Sequence, residues 1–233
     1  MYFVNWQRDI SVEERDGHKV VVKRNKPTKG FHEFIITYTY SLISLLLVHP
    51  SSPASPEEII ANEGRAMRNN LARIGVFTPE LIAISDQSVV EEYIEGGDLY
   101  NALQLNGMPE IAFGAGVLTG KVHNADYSFV DNKAQNYLVR ETHLVRTDLG
   151  FTKRTSSKFA RSMDIGSFLA STIDLPRYSE IEQAFLHGYF SETGRKFSYL
   201  AIIIRNLLSL GFSSDSAIAF KNMILDSRPL LEF

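Results

Sequence analysis

Three side chains that can bind a divalent cation or accept a proton lie around a short β-prone stretch of the chain. They are Asp131, Asn136 and Asp148, within VDNKAQNYLVRETHLVRTDLGF at 130–151. Residues 137–147 contain two β-prone runs on either side of a turn, which predicts an antiparallel hairpin. Because opposed residues of such a ladder are neighbours, the hairpin is expected to bring Asn136 close to Asp148.

The resulting pair of oxygen ligands, one amide and one carboxylate, is typical of a Mg²⁺ site. Magnesium is commonly held by one or two carboxylates and takes its remaining ligands from water and phosphate oxygens. Asp131 precedes Asn136 in a loop, where a second carboxylate can point at the same space and act as a base. The alternative for each residue is a turn-forming role, because Asn and Asp side chains often hydrogen-bond to nearby backbone.

The composition is that of an ordinary globular protein and excludes several kinds of site. Its 233 residues suit one large domain or two closely packed lobes. The formal net charge of −3 does not favour binding to DNA or coating of an anionic membrane. The absence of cysteine excludes disulfides, thiolate metal sites and a cysteine nucleophile, and it fits a reducing compartment. The first ten residues do not resemble a secretory signal, so we expect a cytoplasmic protein.

One apolar stretch, FIITYTYSLISLLLV at 34–48, carries no charge. It is shorter than the roughly 20 residues that a helix needs to cross a bilayer. We therefore expect a buried element of the core. The alternative is a patch that makes a peripheral contact with a membrane or a partner protein, although the embedded Thr, Tyr and Ser residues disfavour a lipid-facing helix.

The first part of the chain is predicted to be rich in strands and to carry one strongly marked helix. Alternating β-branched residues predict a strand before Asp16-Gly17 and another at 18–24, joined by a tight turn. A capping box at 55–58 and a stop at Gly75 predict a helix that ends at about residue 74. Two further strands are expected at 80–85 and 89–95.

The second part is predicted to be mainly helical, after a break at Gly96-Gly97. The helices are expected from Asp98, from Pro109 to about His123, and from Lys158 onward. The fold class is therefore α+β with two lobes. A β-rich N-terminal lobe comprises 1–95, and a short helical C-terminal lobe, with the hairpin inserted in it, comprises 96–233.

The spacing of the candidate residues resembles the catalytic and metal loops of protein kinases. Those loops read D-x-x-x-x-N, then a hairpin, then D-x-G, which is the pattern from Asp131 to Asn136 and in DLG at 148–150. Membership of the protein-kinase-like superfamily implies that Asp131 orients an acceptor hydroxyl and takes its proton, while Asn136 and Asp148 hold Mg²⁺ on ATP. Lys133 lies where kinases carry a lysine that steadies the γ-phosphate, and a solvated surface lysine is the equal alternative.

The first lobe supplies counterparts of two further kinase residues. Lys23 directly follows three valines and resembles the lysine of the V-A-I-K strand, which contacts the α- and β-phosphates. The rival cations nearby are Lys19, Arg24 and Lys26. Glu63 resembles the helix glutamate that pairs with this lysine, and a local pair with Arg68 is the alternative.

The stretch VVEEYIEGGDL at 89–99 resembles the kinase hinge, where backbone groups bind adenine before the chain crosses between lobes. The residues that would supply those groups are Glu92, Tyr93 and Ile94. Asp164 resembles the helix aspartate that grips the backbone of the catalytic loop, with an ordinary exposed helix position as its alternative. His123 resembles the histidine that ends the preceding helix, and a packed core histidine is its more ordinary interpretation.

The resemblance covers about residues 18–170 and departs from ordinary kinases in several places. No glycine-rich loop precedes Lys23, Phe129 stands in place of a histidine two residues before Asp131, and no A-P-E segment follows Asp148. These departures and the short second lobe favour the compact Bud32, RIO and lipopolysaccharide-kinase branches of the superfamily.

The leading hypothesis is ATP- and Mg²⁺-dependent transfer of the γ-phosphate to a hydroxyl. The preferred acceptor is the hydroxyl of a protein serine or threonine. A lipid or sugar acceptor is favoured by the short second lobe and by the apolar stretch at 34–48. A pseudokinase scaffold fits the missing glycine-rich loop, and an RNA-associated ATPase fits the basic segment at 153–161. Against the scaffold stands the retention of four polar residues, Lys23, Glu63, Asp131 and Asp148.

Overall fold

The structure is a computed structural model that describes residues 8–27, 29–106, 108–141 and 143–212. Over those residues the protein is a mixed α+β structure with one four-stranded sheet, two two-stranded sheets and several helices. This arrangement is compatible with the two-lobed plan that the sequence predicts. Predictions for 1–7 and for the helical pattern after residue 212 lie outside the described residues.

Four antiparallel strands form the main sheet. They are β1 (Arg8–Arg15), β2 (His18–Asn25), β3 (Leu81–Ile84) and β4 (Ser88–Glu92), arranged in the order β1-β2-β4-β3. The predicted turn is confirmed, since Asp16 and Gly17 have positive φ angles of 51° and 76°, as a two-residue hairpin loop requires. The alternation of β2 buries Val20 and Val22 on one face, where they pack with Val90.

A long helix, α1 (Lys29–Leu46), follows β2, whereas the sequence predicted only one helix in this part of the chain. The buried element expected at 34–48 is also wrong in part. Tyr40 and Ser44 are buried, but the opposite face exposes large apolar side chains. These are Phe34, Tyr38, Leu42, Leu45 and Leu46. An apolar run without charges has no periodic polar positions, so its sequence did not distinguish a buried element from a half-exposed helix.

None of the described helices, α1 included, is long and apolar enough to cross a bilayer.

The capping box is confirmed. Ser55 Oγ accepts a hydrogen bond from the Glu58 amide at 3.2 Å, and Glu58 Oε2 accepts one from the Ser55 amide at 2.7 Å. The single helix expected to end near residue 74 is instead two helices, α2 (Pro56–Asn62) and α3 (Arg65–Arg73). The break falls at Gly64, whose extended backbone begins α3. It leaves Asn62 and Glu63 beside the segment that follows Asp148.

The predicted helical part begins after Gly96 and Gly97, whose φ angles of 125° and 78° favour glycine. Its helices in the described residues are α4 (Leu99–Asn106), α5 (Pro109–Asn124), α6 (Lys158–Ser171), α7 (Tyr178–Thr193) and α8 (Tyr199–Phe212). Its strands are β5 (Tyr127–Ser128), β6 (Tyr137–Arg140), β7 (His143–Arg146) and β8 (Lys153–Arg154). The predicted hairpin is confirmed, because β6 pairs with β7 and Tyr137 lies opposite Arg146. A second short pair joins β5 to β8.

The helices α5 and α7 pack so closely that glycine is required where their backbones meet. A Cβ atom added to Gly116 would lie 2.0 Å from the carbonyl oxygen of Phe185, and one added to Gly188 would lie 2.1 Å from that of Phe113. Beside this contact, the rings of Phe168 and Phe185 stack with centroids 4.0 Å apart. The two helices are therefore in direct backbone contact, and α5 also meets the Asp131 loop, where Thr119 Oγ1 accepts from Asn132 Nδ2 at 3.0 Å.

We expect Gly116→Ala to destabilise the protein. A methyl group at this position has to push α5 and α7 apart, and overpacking of this kind costs about 1–3 kcal/mol. The gain in helix propensity, about 1 kcal/mol, does not offset this cost. The measurement is the free energy of unfolding from chemical denaturation.

Gly114→Ala is the matched control. It makes the same change two residues earlier in α5, where an added Cβ meets Leu144 at an ordinary 3.6 Å. We expect this variant to be at least as stable as the wild type. Equal losses of stability in the two variants would contradict the close packing of α5 against α7.

Candidate active site

The β6–β7 hairpin brings the two predicted loops into contact. The side-chain amide of Asn136 donates to the Asp131 carbonyl at 2.9 Å and to Asp131 Oδ2 at 3.3 Å. The Thr147 amide donates to the Asn136 carbonyl at 2.9 Å, so Asp148 follows immediately across the ladder. With its nitrogen turned to Asp131, Asn136 has its amide oxygen left to bind a cation.

Asn136 and Asp148 are suited to a small, oxygen-binding cation. In the described part of the chain, no three His, Cys, Asp or Glu side chains converge as a metal site. A cation held by Asn136 and Asp148 would have to take its remaining ligands from water or from a bound ligand. That is the ligand set that Mg²⁺ usually takes when it binds with phosphates.

An arginine that the sequence analysis missed lies beneath both loops. Arg146 is fully buried, and its guanidinium lies 4.3 Å from the ring centroid of Phe129 and 5.0 Å from that of Tyr137. Its Nη2 donates to the Asp131 carbonyl at 2.8 Å and is 3.5 Å from that of Asp148. Arg146 thus joins the Asp131 loop to the Asp148 loop. The available signal was the phenylalanine in place of histidine at 129, because an aromatic ring offers a face to a cation.

Asp131 is held in its charged form by its neighbours. Its Oδ1 accepts from Lys133 Nζ at 2.7 Å. Burial alone raises the pKa of Asp131, but the Lys133 ammonium, the Arg146 guanidinium and the Asn136 amide together bring that pKa below its ordinary value. Asp131 is therefore ionised at neutral and mildly acidic pH, as a proton acceptor has to be.

Asp164 binds the backbone of the loop that carries Asp131, as the sequence resemblance implies. Its carboxylate accepts from the amides of Phe129 at 2.8 Å and Val130 at 2.6 Å, directly before Asp131. His123 Nε2 lies 2.9 Å from the same carboxylate, and both side chains are fully buried. The interpretation of His123 as a packed, hydrogen-bonded core residue is thereby confirmed.

Lys23 is buried, and the expected pairing with Glu63 is wrong, because its partner is Glu91. The strand register explains this choice. Val21 lies opposite Glu91 in the β2–β4 ladder, so Lys23 and Glu91 are diagonal neighbours on the same face of the sheet. The second oxygen of Glu91 pairs with Arg68 at 2.9 Å. Burial alone raises the pKa of Glu91, but these two cations outweigh it and lower that pKa.

Glu63 also lies in the cluster, with a cation that the sequence analysis did not consider. Arg8 Nη2 lies 3.2 Å from Glu63 Oε1. Burial lowers the pKa of Arg8, but the carboxylates of Glu63, Asp148 and Glu91 raise it further. A Cβ at Gly150 would be 3.3 Å from Glu63 Oε1, which places the glutamate against the segment that follows Asp148.

The alternative partner, Arg68, contacts the backbone of Glu63 and not its carboxylate. Arg68 Nε donates to the Glu63 carbonyl at 3.4 Å.

The predicted hinge residues lie at and after the end of β4. The Glu92 amide is already bonded to the Glu80 carbonyl at 2.9 Å, and the Glu92 side chain pairs with Arg140. Among the described residues, Tyr93 and Ile94 make no hydrogen bonds through their backbone groups to other backbone groups. The role of Glu92, Tyr93 and Ile94 as a hinge stays a prediction.

Comparison with known proteins adds one distant relative. No family model matches the sequence. The chain is similar to the probable bifunctional tRNA threonylcarbamoyladenosine biosynthesis protein of Methanocorpusculum labreanum. The two are 28% identical over an alignment of 149 residues, which covers 60% of this chain and 27% of the relative. The chain thus corresponds to about a quarter of that protein.

Proposed function

We propose that this protein is an ATP- and Mg²⁺-dependent phosphotransferase with a two-lobed, kinase-like fold. One observation carries the proposal. Lys23 pairs with Glu91, and the charges of Glu63, Asp148 and Glu91 all act on Arg8. Asp148 directly follows Thr147, whose amide donates to the Asn136 carbonyl. This arrangement of charges supports a site in which the cation expected to contact phosphates and the ligands expected to hold the metal act on the same nucleotide.

In this proposal each side chain has a defined task. Asn136 and Asp148 hold Mg²⁺, which would supply charge neutralisation on the phosphates. Lys23 contacts the α- and β-phosphates, and Asp131 orients the acceptor hydroxyl and takes its proton. Lys133, at 2.7 Å from Asp131, is placed to steady the γ-phosphate on its transfer.

The other predicted residues also have tasks in nucleotide binding or in positioning the site. The backbone of Tyr93 and Ile94 binds adenine, since the Glu92 amide is already bonded to the Glu80 carbonyl. Glu63, paired with Arg8, positions the segment after Asp148. The N-terminal lobe comprises 1–95 and the C-terminal lobe 96–233. We place the protein in the cytoplasm and assign a protein serine or threonine as the acceptor, with a lipid or sugar hydroxyl as the alternative.

A second candidate function is an ATPase that works with RNA. The name of the relative in Methanocorpusculum labreanum concerns the modification of tRNA, and this supports the second candidate. Both functions use the same nucleotide site. They differ in whether the γ-phosphate passes to a macromolecule or to water.

We expect Asp131→Asn to lower the rate of γ-phosphate transfer by about 10²–10⁴, the range typical of a lost general base. Asp148→Asn should lose transfer more completely, because it removes the one charged ligand of the metal. The measurement follows ³²P from labelled ATP into protein, RNA, lipid and inorganic phosphate. The control is Asp86→Asn, on the exposed turn before β4, which should retain full activity. Full transfer by Asp148→Asn would contradict the proposed metal site.

The pH dependence of the reaction provides a separate prediction. A base works only when deprotonated, so the rate is lost as the pH falls through the pKa of Asp131. Lys133→Met removes the largest favourable charge on that carboxylate, and the pKa of Asp131 therefore rises. We expect the acid limb of the rate–pH profile to move to higher pH.

Lys158→Met, on the exposed start of α6, is the matched control and should leave the limb in place. An acid limb that Lys133→Met does not move would show that Asp131 is not the group whose titration controls the rate.

A further inference from the structure

The ion pair of Lys23 with Glu91 places a carboxylate where the proposed function requires a phosphate. Lys23 and Glu91 are both buried, with side chains 9% and 3% exposed. A buried ammonium makes its strongest interaction with the nearest anion, because little water is present to screen the two charges. Any phosphate that contacts Lys23 therefore has to share the ammonium with Glu91 or displace it, next to a carboxylate of the same charge sign.

Glu91 is fixed by the sheet and by a second cation. It lies within β4, and its Oε2 pairs with Arg68 at 2.9 Å. Arg68 is held in turn by the Pro79 carbonyl, 2.6 Å from its Nη1. When Lys23 moves away, Glu91 therefore retains a partner and does not become an unpaired buried charge. The cost of giving up the lysine is thereby reduced, and the exchange of partners is feasible.

We propose that Glu91 is an internal competitor that sets the affinity of the site for nucleotide phosphates. This inference rests on the proposed function, in which Lys23 contacts those phosphates. The ligand class that can displace Glu91 is a nucleoside di- or triphosphate with its metal ion, because its phosphates bring several negative charges to the ammonium. Adenosine has no such charge and leaves the pair of Lys23 with Glu91 intact.

The test compares nucleotide binding by the wild type and by Glu91→Gln, which keeps the shape of the side chain and removes its charge. We expect ATP and ADP, each with Mg²⁺, to bind about tenfold more tightly to the variant, because an anion next to the phosphate site is lost. The affinity for adenosine should stay unchanged. Isothermal titration calorimetry measures all three. Glu14→Gln, an exposed position on β1, removes the same formal charge and should change none of them.

A second variant tests the same inference if Glu91→Gln does not fold. Glu91→Gln leaves Lys23 and Arg68 buried without their shared carboxylate, which can unfold the protein. The double variant Arg68→Gln, Glu91→Gln removes one positive and one negative charge and still frees Lys23. The same gain in affinity for ATP and ADP is expected from it.

A readout without nucleotide separates this inference from the proposed function. Acetylation of Lys23 by an amine-reactive reagent, followed by mass spectrometry, should be several-fold faster in Glu91→Gln than in the wild type. Lys19, exposed on the same strand, is the internal reference and should react at one rate in both proteins.

The outcomes are distinct. Weaker or unchanged ATP binding by Glu91→Gln, or an equal gain for adenosine, would overturn the role of Glu91 as a competitor. If no variant binds any of the three ligands, the proposed function fails. In that case the acetylation of Lys23 alone shows whether Glu91 sequesters the lysine. Equal acetylation in the wild type and in Glu91→Gln would overturn this sequestration.

Discussion

Charges buried between the sheet and the helices have to meet opposite charges, because an unpaired ion in a protein interior costs several kcal/mol. Three cations and two carboxylates satisfy this requirement in one cluster, formed by Arg8, Lys23, Glu63, Arg68 and Glu91. The cluster joins β1, β2 and β4 to the helices α2 and α3. The carboxylate of Asp148 adds to that of Glu63 in raising the pKa of Arg8, so the charge of the Asp148 loop also contributes to this compensation.

Hydrogen bonds from the helical part hold the two loops of the site at their bases. Asp164 accepts from two consecutive amides before Asp131, and Arg146 donates to the carbonyl of Asp131 itself. Neither interaction uses the carboxylate of Asp131 or of Asp148. The two loops are therefore positioned through their backbones, while the Asp131 carboxylate itself contacts Lys133 and Asn136. Such preorganisation is what a site for charge-dependent chemistry needs.

The sequence predicted those features whose signals are local. The turn at Asp16-Gly17, the capping box at Ser55 and the hairpin at 137–147 each depend on residues within one short segment, and all three are confirmed. The position of Asp164 under the loop followed from a resemblance to a whole motif. The chemical roles of Asp131, Asn136 and Asp148 remain predictions, although the structure brings the loops that carry them together.

Features that depend on tertiary contacts were not predicted. The break at Gly64 and the exposed face of α1 depend on what packs against each helix, which a single sequence does not reveal. The partner of Lys23 is set by the register of β2 against β4, and no pattern within either strand encodes that register. The roles of Arg8 and Arg146 were not predicted, because an arginine within a strand is usually solvated. The structure shows that both are buried.

The central claim is that Asn136 and Asp148 together hold a divalent cation on a bound nucleotide. The most direct measurement is a crystal structure with a non-hydrolysable ATP analogue and Mn²⁺, in which anomalous scattering locates the metal. We expect a peak at about 2.0–2.2 Å from an oxygen of each residue, with the triphosphate beside it. A nucleotide bound elsewhere, or a metal that contacts neither Asn136 nor Asp148, would contradict the claim.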